Sequence, residues 1–215
     1  MWAMRYLLKL RFPSGPSAVR GIVAEKAVHL SLTKSEYDLE QLIAEEKEKQ
    51  GVAAEVNGVA AYVTTALSVL EPLGAPSRYQ ERIDVTMNRE SVLGYADFIW
   101  EEPKCLIDLK TRERLPSKFS FAELLQVAIY KKAFPEYTVQ LCYATPKKCE
   151  LRTPTGKEIG DAYSSGLKIV RIIHNFLALS DDAHALVKSL APDPDHMYLW
   201  SEPESVALRQ KVYGY

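Results

Sequence analysis

Apolar positions along the chain switch between a helical and a strand-like period. Up to about residue 77 they recur at helical spacing. Trp2 to Leu10 carries scattered apolar residues at that spacing, and Pro13, Gly15 and Pro16 break the run. A second helix is predicted from about Ala18 to Leu32, with Val19, Ile22, Val23, Ala27 and Leu30 as its stripe. Ser35 is the expected N-cap of a third, with Asp38 three residues on. That helix carries the charged run Glu45-Glu46-Lys47-Glu48-Lys49, a solvated face, and Gly51 ends it. A fourth runs from Val52 to about Leu70, closed by Pro72, Gly74 and Pro76. The period then shortens. Ile83, Val85 and Met87 alternate within Arg78 to Met87, and Asn88 to Ser91 reads as a turn. Val92 to Trp100 and Lys104 to Lys110 are two more strands, parted by Glu101-Glu102-Pro103. Phe121 to Phe134 returns to helix, Thr138 to Thr145 is a strand rich in β-branched and aromatic residues, and Cys149 to Thr153 is a short further strand. Gly156 to Leu179 is a long amphipathic helix and a short one reaches Leu190. The tail, with Pro192, Pro194 and Pro203, reads as irregular.

This order predicts an α/β fold. Its core is a mixed sheet built as a three-strand meander, a helix and a strand, flanked by helices and preceded by a helical N-terminal third. One domain is expected over 1–215. Within it 1–77 is the helical part, 78–153 the core sheet and its helix, and 154–215 the C-terminal helices and tail.

Composition narrows the picture little. Of 215 residues 47% are hydrophobic and 26% charged, which excludes wholesale disorder. The formal net charge of −1 excludes a polycation but leaves room for a local basic patch. Cys105, Cys142 and Cys149 are too few for a disulfide framework and lack C-x-x-C spacing, so a reduced, cytoplasmic setting is expected. The first residues do not read as a secretory signal. No apolar run approaches the ~20 residues of a membrane helix.

Two acids interrupt apolar strands, Asp97 in Gly94-Tyr95-Ala96-Asp97-Phe98-Ile99-Trp100 and Asp108 in Cys105-Leu106-Ile107-Asp108-Leu109-Lys110. A carboxylate is costly to bury unless it is paired or binds a cation. A turn at Glu102-Pro103 makes positions whose numbers add to 205 face each other, which sets Asp97 opposite Asp108 on one side of the sheet. Lys110, two residues on, points the same way. Two ionised carboxylates at that spacing repel, and a hard divalent cation such as Mg²⁺ resolves the conflict. Two pairs on helices join this set. Glu25 follows Gly21 by one turn with His29 a turn beyond, and Gln126 and Tyr130 share a face of the later helix. Taken singly, each of these pairs also reads as ordinary helix surface or core edge.

Arg20-Gly21-x-x-x-Glu25, Gly94-x-x-Asp97, Asp108-Leu109-Lys110 and Gln126-x-x-x-Tyr130, in this order, resemble the PD-(D/E)XK nuclease superfamily in its RecB-like, lambda-exonuclease-like branch. The resemblance spans about residues 18 to 145. It implies a restriction-endonuclease-like core and metal-dependent hydrolysis of DNA phosphodiester bonds. By resemblance the chain is an exonuclease acting on DNA ends or single strands in recombination, repair or replication. Asp97, Asp108 and the Leu109 carbonyl are then ligands of Mg²⁺ or Mn²⁺, and Lys110 is the catalytic lysine. Glu25 stands where many relatives have a metal-binding His, with His29 as the alternative. Gln126 and Tyr130 position the site and the scissile strand. The iron–sulfur members carry one Cys before the core and three near the C-terminus. That pattern is missing here, so no iron–sulfur cluster is expected. The basic run Lys110, Arg112, Arg114 and Lys118, together with Arg20, suits a phosphate backbone, and Tyr95, Phe119, Phe121 and Trp200 are candidates to stack on bases. The expected partner is DNA rather than a membrane, with a second copy or recombination and replication proteins left open. The rival expectation is a catalytically inactive nucleic-acid-binding or assembly module. The intact Asp97, Asp108 and Lys110 set argues against it.

Overall fold

The computed structural model describes residues 14–190 together with Leu7, Ala207, Gln210, Lys211 and Gly214. Apart from those positions, the helix expected at Trp2 to Leu10 and the tail with Trp200 lie outside the described residues. The 1–215 span groups in space into two compact units, Ser14–Lys168 and Met1–Pro13 with Ile169–Tyr215.

In the larger unit, helix α1 spans Pro16–Leu32, its proline placed where the missing N–H has no helical partner. The third predicted helix starts later than expected. Asp38, not Ser35, caps α2 (Leu39–Gln50), its carboxylate accepting from the Glu40 and Gln41 N–H groups. Ser35 is already used, because its N–H closes α1 on Leu30 O at 2.9 Å. Helix α3 spans Val59–Leu70 rather than starting at Val52. Left-handed turns at Gly51 (φ 68°) and Gly58 (φ 76°) bracket an irregular stretch that the apolar periodicity did not reveal. A 3₁₀ turn, Glu71–Leu73, follows.

The remaining elements are β1 (Arg78–Met87), β2 (Glu90–Trp100), β3 (Cys105–Thr111), α4 (Phe121–Ala133), β4 (Thr138–Ala144), β5 (Cys149–Arg152), α5 (Gly156–Leu177) and α6 (Ala183–Ser189). They build the mixed α/β architecture expected, a five-stranded sheet in the order β1-β2-β3-β4-β5. Asn88 and Arg89, both at positive φ, form the two-residue turn that joins β1 to β2. The β2–β3 register is the expected one, with Phe98 opposite Ile107, Ile99 opposite Leu106 and Trp100 opposite Cys105. β3 and β4 are parallel, and α4 is their crossover.

Helices cover both faces. Val19, Val23, Ala24 and Ala27 of α1 and Tyr62, Val63 and Ala66 of α3 pack against Phe98, Trp100, Ile107 and Leu109. On the other face Val127 and Tyr130 of α4 pack against Ile83, Leu106, Leu141 and Tyr143. Gly21 lets α1 approach the end of β3, since a Cβ there would lie 3.3 Å from Thr111 Oγ1. Among the described residues no helix is long and apolar enough to cross a membrane.

Candidate active site

The site forms where the β2–β3 ladder ends. Beyond the Phe98–Ile107 rung the two backbones are no longer paired, so Asp97 and Asp108 are not a ladder pair. The Leu109 N–H, left free there, donates to Asp97 Oδ2 at 2.9 Å. Both acids are nevertheless interior, Asp97 8% and Asp108 1% exposed.

Helix α4 supplies the partners of Asp108. Its start is fixed by a reciprocal capping box between Ser120 and Glu123. Gln126 and Tyr130, one turn apart, then face the sheet. Gln126 Nε2 donates to Asp108 Oδ1 (2.8 Å) and to the Tyr130 hydroxyl (2.6 Å). The single proton of that hydroxyl has two acceptors, Tyr95 O at 2.7 Å and Asp108 Oδ1 at 2.9 Å. Gln126 Oε1 accepts from Lys110 Nζ at 2.9 Å. Lys110 Nζ also lies 2.6 Å from Asp108 Oδ2, an ion pair in distance. Its direction is not that of a hydrogen bond, and Oδ2 is left buried without a hydrogen-bond partner.

Glu25 reaches the same cluster from α1, through a residue the sequence reading passed over. Gln80 Nε2 donates to Asp97 Oδ1 at 3.1 Å and to Glu25 Oε1. Gln80 stands opposite Asp97 between the pairs Tyr79–Phe98 and Glu81–Ala96, with φ at 50°. Counting back from the Asn88-Arg89 turn would have found it. His29 does not join the cluster. Its ring stacks on Tyr79 at 3.9 Å between centroids, with the planes 4° apart.

Burial pushes the Asp97 carboxyl well above the usual carboxylate range, and the charges of Asp108 and Glu25 push it further, against the Leu109 N–H and Lys110. Burial also raises Glu25, offset in part by hydrogen bonds from Gln80 and Tyr79. The Tyr130 hydroxyl is raised by burial and then by Asp108 and Asp97, so it stays protonated. Interior acids that resist ionisation call for positive charge beside them.

The donor chemistry fits a hard divalent cation. Asp108 Oδ2 is an unpartnered buried oxygen. Asp97 and Glu25 add oxygens, and the Leu109 carbonyl is adjacent in sequence. Among the described residues no three acidic, His or Cys side chains are grouped closely enough to hold a metal ion together. Mg²⁺ is commonly held by one or two carboxylates with its remaining positions filled by water.

The basic candidates divide. The Arg20 guanidinium pairs with Glu113 at 2.7 Å and lies over the Tyr62 ring. Arg112 pairs at 2.8 Å with Glu123, a buried acid of α4. Arg114 lines a cavity of about 460 Å³ with Glu113, Leu115, Thr145, Pro146, Lys147 and Lys148. Sequence reading missed Lys147 and Lys148, which join this group only because β3 and β4 run parallel. Lys118 is exposed on the loop before α4. Tyr95 and Phe121 are exposed, whereas Phe119 packs against Tyr143.

No protein-family model matches the chain, and no curated protein matches it significantly. The fold has solved neighbours. One is the crystal structure of a protein from Eubacterium rectale that bears the name putative exonuclease, 12% identical, with a TM-score of 0.55 over 99% of this chain and 85% of that one. The chain shares that protein's fold. A structure of the protein SSO0001 is more distant, 15% identical with a TM-score of 0.36 over 79% of this chain and 85% of that one.

Proposed function

We propose that this chain is a divalent-metal-dependent nuclease of PD-(D/E)XK type that hydrolyses DNA phosphodiester bonds, acting as an exonuclease on DNA ends or single strands. The observation that carries this reading is the hydrogen-bonded set Asp108, Lys110, Gln126 and Tyr130, with Asp97 tied to the same strand through the Leu109 N–H and a buried Asp108 oxygen that has no hydrogen bond and faces only the Lys110 charge. The fold shared with the Eubacterium rectale protein supports it.

In this reading Asp97, Asp108 and the Leu109 carbonyl would hold Mg²⁺ or Mn²⁺, and Glu25 would join them as a further ligand from α1. When bound, such an ion polarises a phosphoryl oxygen and acidifies a coordinated water. The chain's own groups do the rest. Gln126 and Tyr130 fix the Asp108 carboxylate, so its free oxygen keeps one direction. Lys110, anchored by Gln126 Oε1, offers its remaining N–H groups to the attacking water and to charge developing on the phosphate. Arg114, Lys118, Lys147 and Lys148 line the path of the backbone.

The test is incubation of purified protein with end-labelled single- and double-stranded DNA in Mg²⁺, Mn²⁺ or EDTA. Metal-dependent release of label is expected from the wild type. Asp108→Asn and Lys110→Ala should each lose at least about a hundredfold in rate while staying folded. Near-wild-type cleavage by either variant refutes the assignment. DNA binding without cleavage under every metal would make the chain the inactive module instead.

A further inference from the structure

Gln80 has no part in the chemistry described above, yet it is wired into the centre of the site. Its amide nitrogen donates to Glu25 Oε1 and to Asp97 Oδ1, one acid from α1 and one from β2. A group that gives positive edges to two carboxylates at once does what a bridging cation does. The backbone is bent to allow it. Gln80 is the point in β1 where pairing with β2 lapses, and its φ of 50° lies in the left-handed region that side chains other than glycine seldom adopt. Such distortion inside a strand persists only where surrounding contacts hold it. Here the held contact is the amide between the two acids. The buried Oδ2 of Asp108, in the same cluster, remains without a hydrogen-bond partner. The amide therefore serves Glu25 and Asp97, while Asp108 Oδ2 is met by the Lys110 ammonium alone.

We propose that Gln80 is a placeholder for the metal. In the metal-free protein its amide keeps Glu25 and Asp97 at bridging separation, and it withdraws when the ion arrives. Gln80 then sets how tightly the site binds a divalent cation, because every ion must displace it. This rests on the metal-site reading above. The orientation of the amide gives the proposal its sign. The nitrogen faces the acids, so Gln80 competes with a cation, whereas a ligand would present its oxygen.

The experiment is calorimetric titration of Mn²⁺ or Mg²⁺ alone into the full chain without DNA, for wild type, Gln80→Gly and Gln80→Glu. Glycine accepts φ of 50° without strain, so the first variant removes the amide and keeps the backbone. The second keeps the shape and replaces the donor with a third acid. Gln80→Gly should bind Mn²⁺ about tenfold more tightly than wild type, and Gln80→Glu more tightly still. In EDTA both should melt below wild type, and saturating Mn²⁺ should remove that difference. Unchanged or weaker Mn²⁺ binding by both variants, with wild type binding normally, overturns the placeholder alone. If wild type and variants all fail to bind either ion, the metal-site reading is lost and the placeholder with it.

Discussion

Tyr130 has one proton and two acceptors, Tyr95 O and Asp108 Oδ1, and it also accepts from Gln126. Replacing it with Phe removes the proton from a site with few other donors. Asp108 Oδ1 keeps Gln126, but Tyr95 O is left short. Tyr130→Phe should lower kcat about tenfold and cost roughly 1–3 kcal/mol of stability, read by steady-state cleavage and by thermal melts. Glu25 and His29 make a sharper contrast, since they lie one turn apart on α1. Glu25 shares the Gln80 amide with Asp97, while His29 stacks on Tyr79 and burial lowers its pKa, which favours the neutral ring. Glu25→Gln should raise the Mg²⁺ concentration needed for half-maximal cleavage at least tenfold. His29→Ala should leave that concentration unchanged and cost only about 1 kcal/mol of stacking. A Mg²⁺ titration of both variants checks this, and loss of metal dependence in the His29 variant alone would exchange the two roles.

Helix α4 carries two of the site residues, so its start matters more than its length. Ser120 Oγ takes the Glu123 N–H, and the Glu123 carboxylate takes the Ser120 N–H and hydroxyl and the Arg112 guanidinium. Burial alone would raise the Glu123 pKa, but these donors outweigh it and hold it below the usual value. A carboxyl depressed in the folded state contributes stability above its unfolded pKa, and that contribution fades as pH falls through the folded pKa. Melting temperature should therefore drop as pH falls below about 4.3, the ordinary glutamate pKa. Glu123→Gln should shrink that drop, and Ser120→Ala should cost about 1 kcal/mol at neutral pH. At this scale the sequence was informative wherever period and punctuation agreed. The β2–β3 register followed from a turn at Glu102-Pro103, and α4 from an apolar face ended by Pro135. The α1–α2 and α2–α3 junctions were misplaced because the same Ser, Asp and Gly residues serve as caps, turns or helix stops according to tertiary contacts. Gln80 stayed hidden for another reason. A polar residue in an edge strand does not stand out by type, and only the register counted back from the Asn88-Arg89 turn sets it opposite Asp97.

On the scale of the whole molecule, the proposed function assigns the acidic interior to the chemistry and the cavity lined by Arg114, Lys147 and Lys148 to the strand. Lys147→Ala with Lys148→Ala should weaken DNA binding and reduce the slope of log affinity against log salt by nearly two, one phosphate contact for each lysine. The chemical step under saturating DNA should be unaffected. Filter binding across a salt series and single-turnover cleavage separate the two effects. A slope equal to that of the wild type would take these lysines off the path of the strand.

The parallel pairing of β3 and β4 has a consequence for how such a molecule diversifies. Because the two strands run the same way, the segments that follow them leave the sheet at one end and share a cavity, lined by Glu113, Arg114 and Leu115 from the first and residues 145–148 from the second. Leu115 and Phe119 anchor the first of these segments and the buried Thr145 the second, while Glu113, Arg114, Lys118, Pro146, Lys147 and Lys148 are exposed. Under the proposed function, insertions or exchanges there would alter which DNA is admitted while leaving intact the strands that hold Asp97, Asp108 and Lys110. On that reading selectivity would be encoded in the segments between Arg112 and Ser120 and after β4, and reactivity in the strands and in the helix that Arg112 and Ser120 secure. A lineage can revise the first without relearning the second, and an engineer can graft loops here as one changes the bit of a drill.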